Sequence, residues 1–342
     1  MDRDIGPEGG GRSRFTYHGG DIGAARAAYP DAPSPWLDLS TGINPVPYPL
    51  PCLAPEAWTA LPDAAAARAL EAAAARAYGA RPDQVTGAPG SEALINTLPR
   101  LFPARHVGVL GFTYADHARA WREAGATVDA VESLEDLARY DAAVVVNPNN
   151  PNGRLVTPAD LAVLAGRVGL LVVDEAFADV VAPAWSLAQS VPGNAVVLRS
   201  FGKFYGLAGL RLGFAIAGTD WTARLRQALG PWAVSGPALV IGTQALADDG
   251  WAAAARARLD SDAARLDGLL SAQGAAILGG TSLFRLVAVQ DASSWFEALG
   301  RRGILTRPFA DRPSWLRFGL PADEQAWERL ADALVGIRAS PR

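Results

Sequence analysis

The chain has 342 residues, half of them hydrophobic and 19% charged, so it can bury a sizeable core and is too apolar for a disordered segment. A formal net charge of −4 with no basic block speaks against a counterion-releasing nucleic-acid surface. No uncharged apolar run reaches about 18 residues, so no membrane span is expected, and the single cysteine, Cys52, forbids an intrachain disulfide and fits a reducing cytoplasm.

In chain order, Met1 to Arg14 are rich in Gly and Arg without an apolar core and read as a mobile tail, not a signal peptide. Asp63 can cap an alanine-rich helix that stops at Gly79, which tolerates the left-handed conformation past a helix end. Val107–Leu110, Ala142–Val146, Leu170–Val173 and Ala195–Leu198 are short and β-branched, as buried strands are. Thr157-Pro158-Ala159-Asp160 reads as a helix start, with a capping hydroxyl, proline in the first helical position and an acid near the positive dipole end. After Arg211–Ala217 helices dominate from Thr219 to Ala272, and strands near Ser282–Val289 and Ser314–Phe318 then alternate with helices. Strands alternating with helices imply an α/β protein with a mostly parallel sheet. The expected division is a tail and arm over 1–40, a large domain over 41–230 and a small α+β domain over 231–342.

The segment Ser200-Phe201-Gly202-Lys203 through Gly209-Leu210-Arg211 follows a strand and sets a lone lysine among small and apolar residues. Desolvation disfavours an ammonium, which makes such an amine a nucleophile towards aldehydes, while Ser200 and Arg211 suit a phosphate. The plain alternative is a glycine-rich turn with a solvated lysine. A Walker loop fails because Phe204 stands where Ser or Thr must hold magnesium. Gly87 to Leu94 is a turn opening onto a helix, whose N-terminal N–H groups attract an anion. Asn147 to Gly153 directly follows a strand and reads as a tight turn from its Asn, Pro and Gly content. Asp174 ends an apolar strand, where a carboxylate needs a partner, or else caps a helix. His106 and His117 read as structural, and no metal-ligand spacing is visible.

These segments, in this order, resemble the fold-type I pyridoxal-phosphate enzymes, especially the histidinol-phosphate aminotransferase branch. The resemblance implies a large domain with a mostly parallel sheet between helices, a smaller α+β domain, and pyridoxal 5'-phosphate as cofactor. Lys203 would carry the cofactor as a Schiff base, and Gly90, Ser91, Glu92, Ser200 and Arg211 would surround its phosphate. Asn150 would meet its phenolic oxygen and Asp174 its pyridine nitrogen, while Tyr114 would stack on its ring. Arg317, in Trp315-Leu316-Arg317-Phe318-Gly319, resembles the arginine that grips a substrate carboxylate. Two departures stand out: Phe177 replaces a tyrosine that bonds the phenolic oxygen, and Leu61-Pro62 replaces a Tyr-Pro pair that reaches the partner subunit's cofactor.

Tyr17-His18-Gly19-Gly20-Asp21 and Leu39-Ser40-Thr41-Gly42-Ile43-Asn44-Pro45 resemble the opening of threonine-phosphate decarboxylases of cobalamin biosynthesis. That resemblance implies decarboxylation of L-threonine O-3-phosphate, with His18, Asn44 and Arg307 as further candidates for the substrate's phosphate or carboxylate, and a cytoplasmic homodimer. An aminotransferase of the histidinol-phosphate type is the alternative. A non-catalytic regulator is disfavoured by the retained lysine.

Overall fold

The computed structural model describes residues 18–338, and the residues before His18, Tyr17 and the expected tail included, lie outside it. Contacts gather these residues into two compact units. Of the described residues, the smaller comprises 18–45, Asp260–Gly279 and 284–338; the larger comprises Val46–Leu259 and Gly280–Leu283.

Strand β1 (Leu37–Asp38) belongs to the smaller unit. Seven strands of the larger unit then follow: β2 (Val85–Ala88), β3 (His106–Leu110), β4 (Thr127–Val131), β5 (Ala142–Val146), β6 (Leu170–Asp174), β7 (Ala195–Ser200) and β8 (Gly213–Ala217). They form one sheet in the order β2-β8-β7-β6-β5-β3-β4. All pairings from β7 through β4 are parallel, and β8 runs antiparallel to both β7 and β2. Every residue of β5, β6 and β7 is buried, which explains their unbroken apolar runs: in a parallel sheet covered by helices, both faces of the central strands are inside.

Helix starts and stops follow the side chains expected. Asp63 accepts from the N–H groups of Ala65 and Ala66, and the helix Ala64–Tyr78 closes at Gly79 with φ 71°. Thr157 caps Pro158–Ala165 by accepting from the Asp160 N–H. On one sheet face, Leu170, Val172, Val196 and Leu198 pack against Leu94, Leu98, Trp121 and Leu225 of three covering helices. Each such side chain contributes about 1.5–3 kcal/mol on burial.

The remaining strands are β9 (Ala276–Thr281), whose residues up to Gly279 belong to the smaller unit, and β10 (Phe284–Ala288), β11 (Ile304–Leu305), β12 (Arg307–Pro308) and β13 (Trp315–Phe318), all in the smaller unit. β12, β13, β10 and β9 make a four-stranded sheet in that order, and β1 pairs with β11 in parallel. The strands expected near Ser282–Val289 and Ser314–Phe318 are β10 and β13. Among the described residues no helix is long and apolar enough to cross a membrane.

Candidate active site

The carboxyl ends of β6 and β7 carry the reactive groups of the larger unit, as the ends of strands do in open α/β sheets. Asp174, 3% exposed, is the last residue of β6. Its Oδ2 lies 2.8 Å from Nε2 of His117, and its Oδ1 accepts from the Ala176 N–H at 2.9 Å. Beyond β7 the chain turns into the single helical turn Phe201–Phe204, which bears the half-buried Lys203. The Lys203 Nζ stands 5.9 Å from the centre of the Phe177 ring. Packing this close requires Gly202: a Cβ there would come within 2.6 Å of the Ala208 Cα.

Gly90 precedes the helix Ser91–Leu101 with φ 87° and ψ 155°, a conformation open to glycine alone. A Cβ on Gly90 would lie 2.9 Å from Nη2 of Arg211, so the guanidinium covers the helix N-terminus. Arg211 itself holds φ 55°, the only positive φ of a described non-glycine residue. Ser200 pairs with Gly213 across β7–β8, and a Cβ on Gly213 would lie 2.4 Å from the Ser91 nitrogen. Gly90, Ser91, Ser200 and Arg211 therefore converge, combining first-turn N–H groups, a hydroxyl and a guanidinium as an anion site does. Glu92 plays a different part with its side chain. Its carboxylate accepts from the Tyr114 hydroxyl at 3.2 Å, from Asn96 at 3.1 Å and from Arg119 at 3.2 Å, tying the Tyr114 ring to this helix.

Three of the four asparagines after β5 fold their own loop. Asn147 donates to the Val156 and Trp185 carbonyls and accepts from the Val156 N–H. Asn149 donates to the Phe112 carbonyl and to Asn152, whose Oδ1 also takes the Arg154 N–H. Asn150, half-buried, is the fourth. Two buried oxygens here, Asn149 Oδ1 and Thr113 Oγ1, have no hydrogen-bond partner among the described residues.

The smaller unit holds the other candidates. Arg317 on β13, 6% exposed, donates to the Ser40 carbonyl at 2.7 Å and lies 5.2 Å from the centre of the Phe284 ring. Arg307 on β12 is its cross-strand partner. Burial first, then the Arg307 charge, push the Arg317 guanidinium down to about 9, and Asp38 offsets part of this. Asn44 is buried at 2% exposure and His18 is exposed. The Gly20 N–H donates to the Ser40 hydroxyl at 2.7 Å, and that hydroxyl donates to Asp38 at 2.6 Å. The glycines after His18 and the arginine on β13 thus share Ser40.

Sequence reasoning missed His117, because its link to Asp174 spans 57 positions and leaves no local pattern. Lys203 is the only lysine in the chain.

The model of aminotransferase class I and II matches residues 36–334. The chain belongs to the aminotransferase class I and II family. Among family members, a threonine-phosphate decarboxylase from a Sinorhizobium species is 46% identical over 326 residues, covering 93% of this chain and 97% of that protein. Its counterpart in Pseudomonas aeruginosa is 44% identical over 328 residues, covering 94% and 98%. Solved structures share the fold. Histidinol-phosphate aminotransferase from Sinorhizobium meliloti, in complex with pyridoxal-5'-phosphate, superposes with a TM-score of 0.79 at 21% identity, covering 93% of this chain and 95% of that one. The L-threonine-O-3-phosphate decarboxylase of Porphyromonas gingivalis gives 0.72 at 18% identity, covering 89% and 100%. The expected fold-type I architecture, with its mostly parallel central sheet, is the one observed.

Proposed function

We propose that this aminotransferase-family protein is a threonine-phosphate decarboxylase that works with pyridoxal 5'-phosphate bound to Lys203. The near-full-length identity to two proteins of that name carries the reading. The larger unit fits the cofactor: a Cβ at Gly90 would fill the cradle beside Arg211, and Lys203 supplies the chain's one ε-amine. Bound there, pyridoxal phosphate supplies an electron sink for the pair left when a bond at the substrate's α-carbon breaks.

The chain's own residues divide the work. Arg211, the Ser200 hydroxyl and the N–H groups at Gly90 and Ser91 hold the cofactor phosphate. Asp174, fixed by His117 and the Ala176 N–H, offers a buried carboxylate to a protonated ring nitrogen. Asn150 would donate to the phenolic oxygen, and Tyr114, steadied by Glu92, would meet the ring. Arg317 and Arg307, with Asn44 and His18, take the substrate's carboxylate and phosphate, two anions suited to two cross-strand guanidinium groups. The overall step breaks the bond between the α-carbon and the carboxylate, releases carbon dioxide and sets a proton in its place. L-threonine O-3-phosphate becomes (R)-1-amino-2-propanol O-2-phosphate, a step of cobalamin biosynthesis.

A cytoplasmic homodimer belongs to the same proposal. Leu50, Trp58, Leu61 and Trp232 of the larger unit are each more than half exposed, and large apolar side chains left in water support cover by a second copy.

The test is to incubate cofactor-loaded protein with L-threonine O-3-phosphate and 2-oxoglutarate and to identify products by mass spectrometry. Aminopropanol phosphate with 2-oxoglutarate unchanged is expected. Glutamate formation makes the protein an aminotransferase instead.

A further inference from the structure

The residues next to the two central candidates are charged and buried, and nothing in the proposed chemistry uses them. Glu175 follows Asp174 and is 0% exposed; Arg199 precedes Ser200 inside β7 and is 5% exposed. Successive residues of a strand point to opposite faces. Leu170, Val172 and Leu198 face the helix-covered core, and Asp174 and Ser200 continue that alternation. Glu175 and Arg199 therefore turn to the other face, where they meet.

Their contacts make one closed cluster. Arg199 Nη1 donates to Glu175 Oε2 at 3.0 Å and Nη2 to Asp179 Oδ1 at 3.4 Å. The same Glu175 carboxylate accepts from the Ser186 hydroxyl at 2.5 Å and the Leu187 N–H at 2.7 Å. The Arg199 guanidinium carbon lies 4.2 Å from the centre of the Tyr78 ring. Backbone register joins the same strand ends, with Asp174 opposite Leu198 and the Glu175 N–H donating to the Leu198 carbonyl at 2.8 Å.

Such a cluster is a poor source of stability. Burial pushes the Glu175 carboxyl up, with Arg199, Ser186 and Leu187 pulling it back. Burial likewise opposes the charge on Arg199, but Asp179 and Glu175 outweigh it. Tyr78 Oη, Asp179 Oδ2 and Arg199 Nε are also buried with no hydrogen-bond partner among the described residues. Apolar residues of similar volume usually serve stability as well as a buried ion pair or better, so what the pair gives is a fixed geometry.

We propose that Glu175 and Arg199 are positioning residues, whose buried pair clamps the ends of β6 and β7 and so fixes Asp174 relative to the Lys203 turn. The inference rests on the reading of Asp174 and Lys203 as the cofactor's partners. An Arg199 that bridges Glu175 and Asp179, one residue before Ser200 and four before Lys203, holds Glu175 and with it the adjacent Asp174 where β-pairing alone would let the strand ends fray.

The test compares wild-type protein with the uncharged variant R199M/E175Q/D179N, the single variant E175Q and K203A, each loaded with pyridoxal phosphate. Thermal unfolding, the cofactor dissociation constant from fluorescence, the pH midpoint of its visible absorption, and kcat and KM for L-threonine O-3-phosphate are measured. The triple variant should melt within a few degrees of wild type, since removing buried charges together leaves no unpaired ion. Its cofactor should bind roughly tenfold more weakly, its absorption midpoint should move by about half a pH unit or more, and kcat should fall tenfold or more with KM within about twofold, as loss of alignment without loss of substrate contacts requires. E175Q should move the same quantities in the same direction. A triple variant with wild-type affinity, midpoint and kcat overturns the positioning role alone. Wild-type protein whose visible absorption matches that of K203A overturns the Lys203 reading and this inference with it.

Discussion

Arg317 and Arg307 are cross-strand partners on β13 and β12, two like charges side by side in the smaller unit, one of them buried. Like charges opposite each other destabilise a sheet, so the arrangement makes sense when an anion joins them. Burial and the Arg307 charge pull the Arg317 guanidinium down towards about 9, so its charge is expected to be retained at lower pH and weakened as pH rises past that region. KM for L-threonine O-3-phosphate should therefore climb above about pH 9, while kcat changes less. R317A should raise KM at pH 7.5 by roughly 10- to 150-fold, the worth of about 1.5–3 kcal/mol for a charged hydrogen bond. R307Q should raise KM as well, yet shift its alkaline limit upward, because the repelling charge beside Arg317 is gone. Initial rates from pH 7 to 10.5 test all three statements, and an alkaline limit unmoved in R307Q contradicts the coupling.

A second relationship concerns cofactor retention. With His117 removed, Asp174 keeps only the Ala176 N–H as an identified donor within a site that is 3% exposed. The hydrogen bond that holds the Asp174 carboxylate in position for the ring nitrogen is worth about 1–3 kcal/mol. H117A should thus weaken pyridoxal-phosphate binding roughly 5- to 150-fold, and H117Q, which can place an amide nitrogen near the lost Nε2, should recover part of it. Fluorescence titration of the unloaded protein gives both constants. Equal affinities for wild type and H117A would show that the imidazole only fills space.

The contrast between these pairs explains what the sequence discloses. Asp63, Gly79 and Thr157 act on backbone two or three positions away, so their caps are legible in the chain itself. The central strands are legible because burial on both faces demands unbroken branched residues. β2 ends in Gly-Ala, β4 alternates with exposed Thr127 and Asp129, and β11 and β12 have two residues each, too few for any period. Contacts such as His117 to Asp174 or Glu175 to Arg199 depend on strand order, which propensity does not encode. The convergence of Gly90, Ser91, Ser200 and Arg211 is legible in the chain because it is built from glycine and helix-start chemistry. The neighbouring Glu92 has its carboxylate engaged by Tyr114, Asn96 and Arg119, contacts that no local pattern discloses.

The cradle gives a third prediction. Gly90 combines a backbone reserved for glycine with a space that a methyl group would take from Arg211. Holding such a conformation without glycine costs about 1–3 kcal/mol. G90A should weaken cofactor binding roughly 5- to 150-fold while leaving the far-ultraviolet circular dichroism of the fold unchanged. Inorganic phosphate should compete with pyridoxal phosphate in wild type and compete less well in G90A. If phosphate competes equally with both, the anion sits elsewhere.

The last prediction ties the His18-Gly19-Gly20 element to the buried arginine. A Cβ on Gly19 would stand 2.3 Å from the Ser40 carbonyl oxygen, far inside contact distance. That same oxygen accepts the Arg317 Nη2 at 2.7 Å, and the Ser40 hydroxyl accepts the Gly20 N–H. G19A must therefore move either the glycine segment or Ser40, and moving Ser40 releases one hydrogen bond of a guanidinium with little water around it. The expected result is a KM for L-threonine O-3-phosphate raised by roughly tenfold, about 1.4 kcal/mol, with cofactor affinity unchanged because the cradle lies in the other unit. S40A separates the two routes: it keeps the carbonyl for Arg317 and removes the hydroxyl that Gly20 binds. A raised KM in G19A with a near-normal KM in S40A places the effect at the carbonyl, and therefore at Arg317. Raised KM in both places it in the anchoring of the His18 segment. Weakened cofactor binding in G19A would contradict the division of labour altogether.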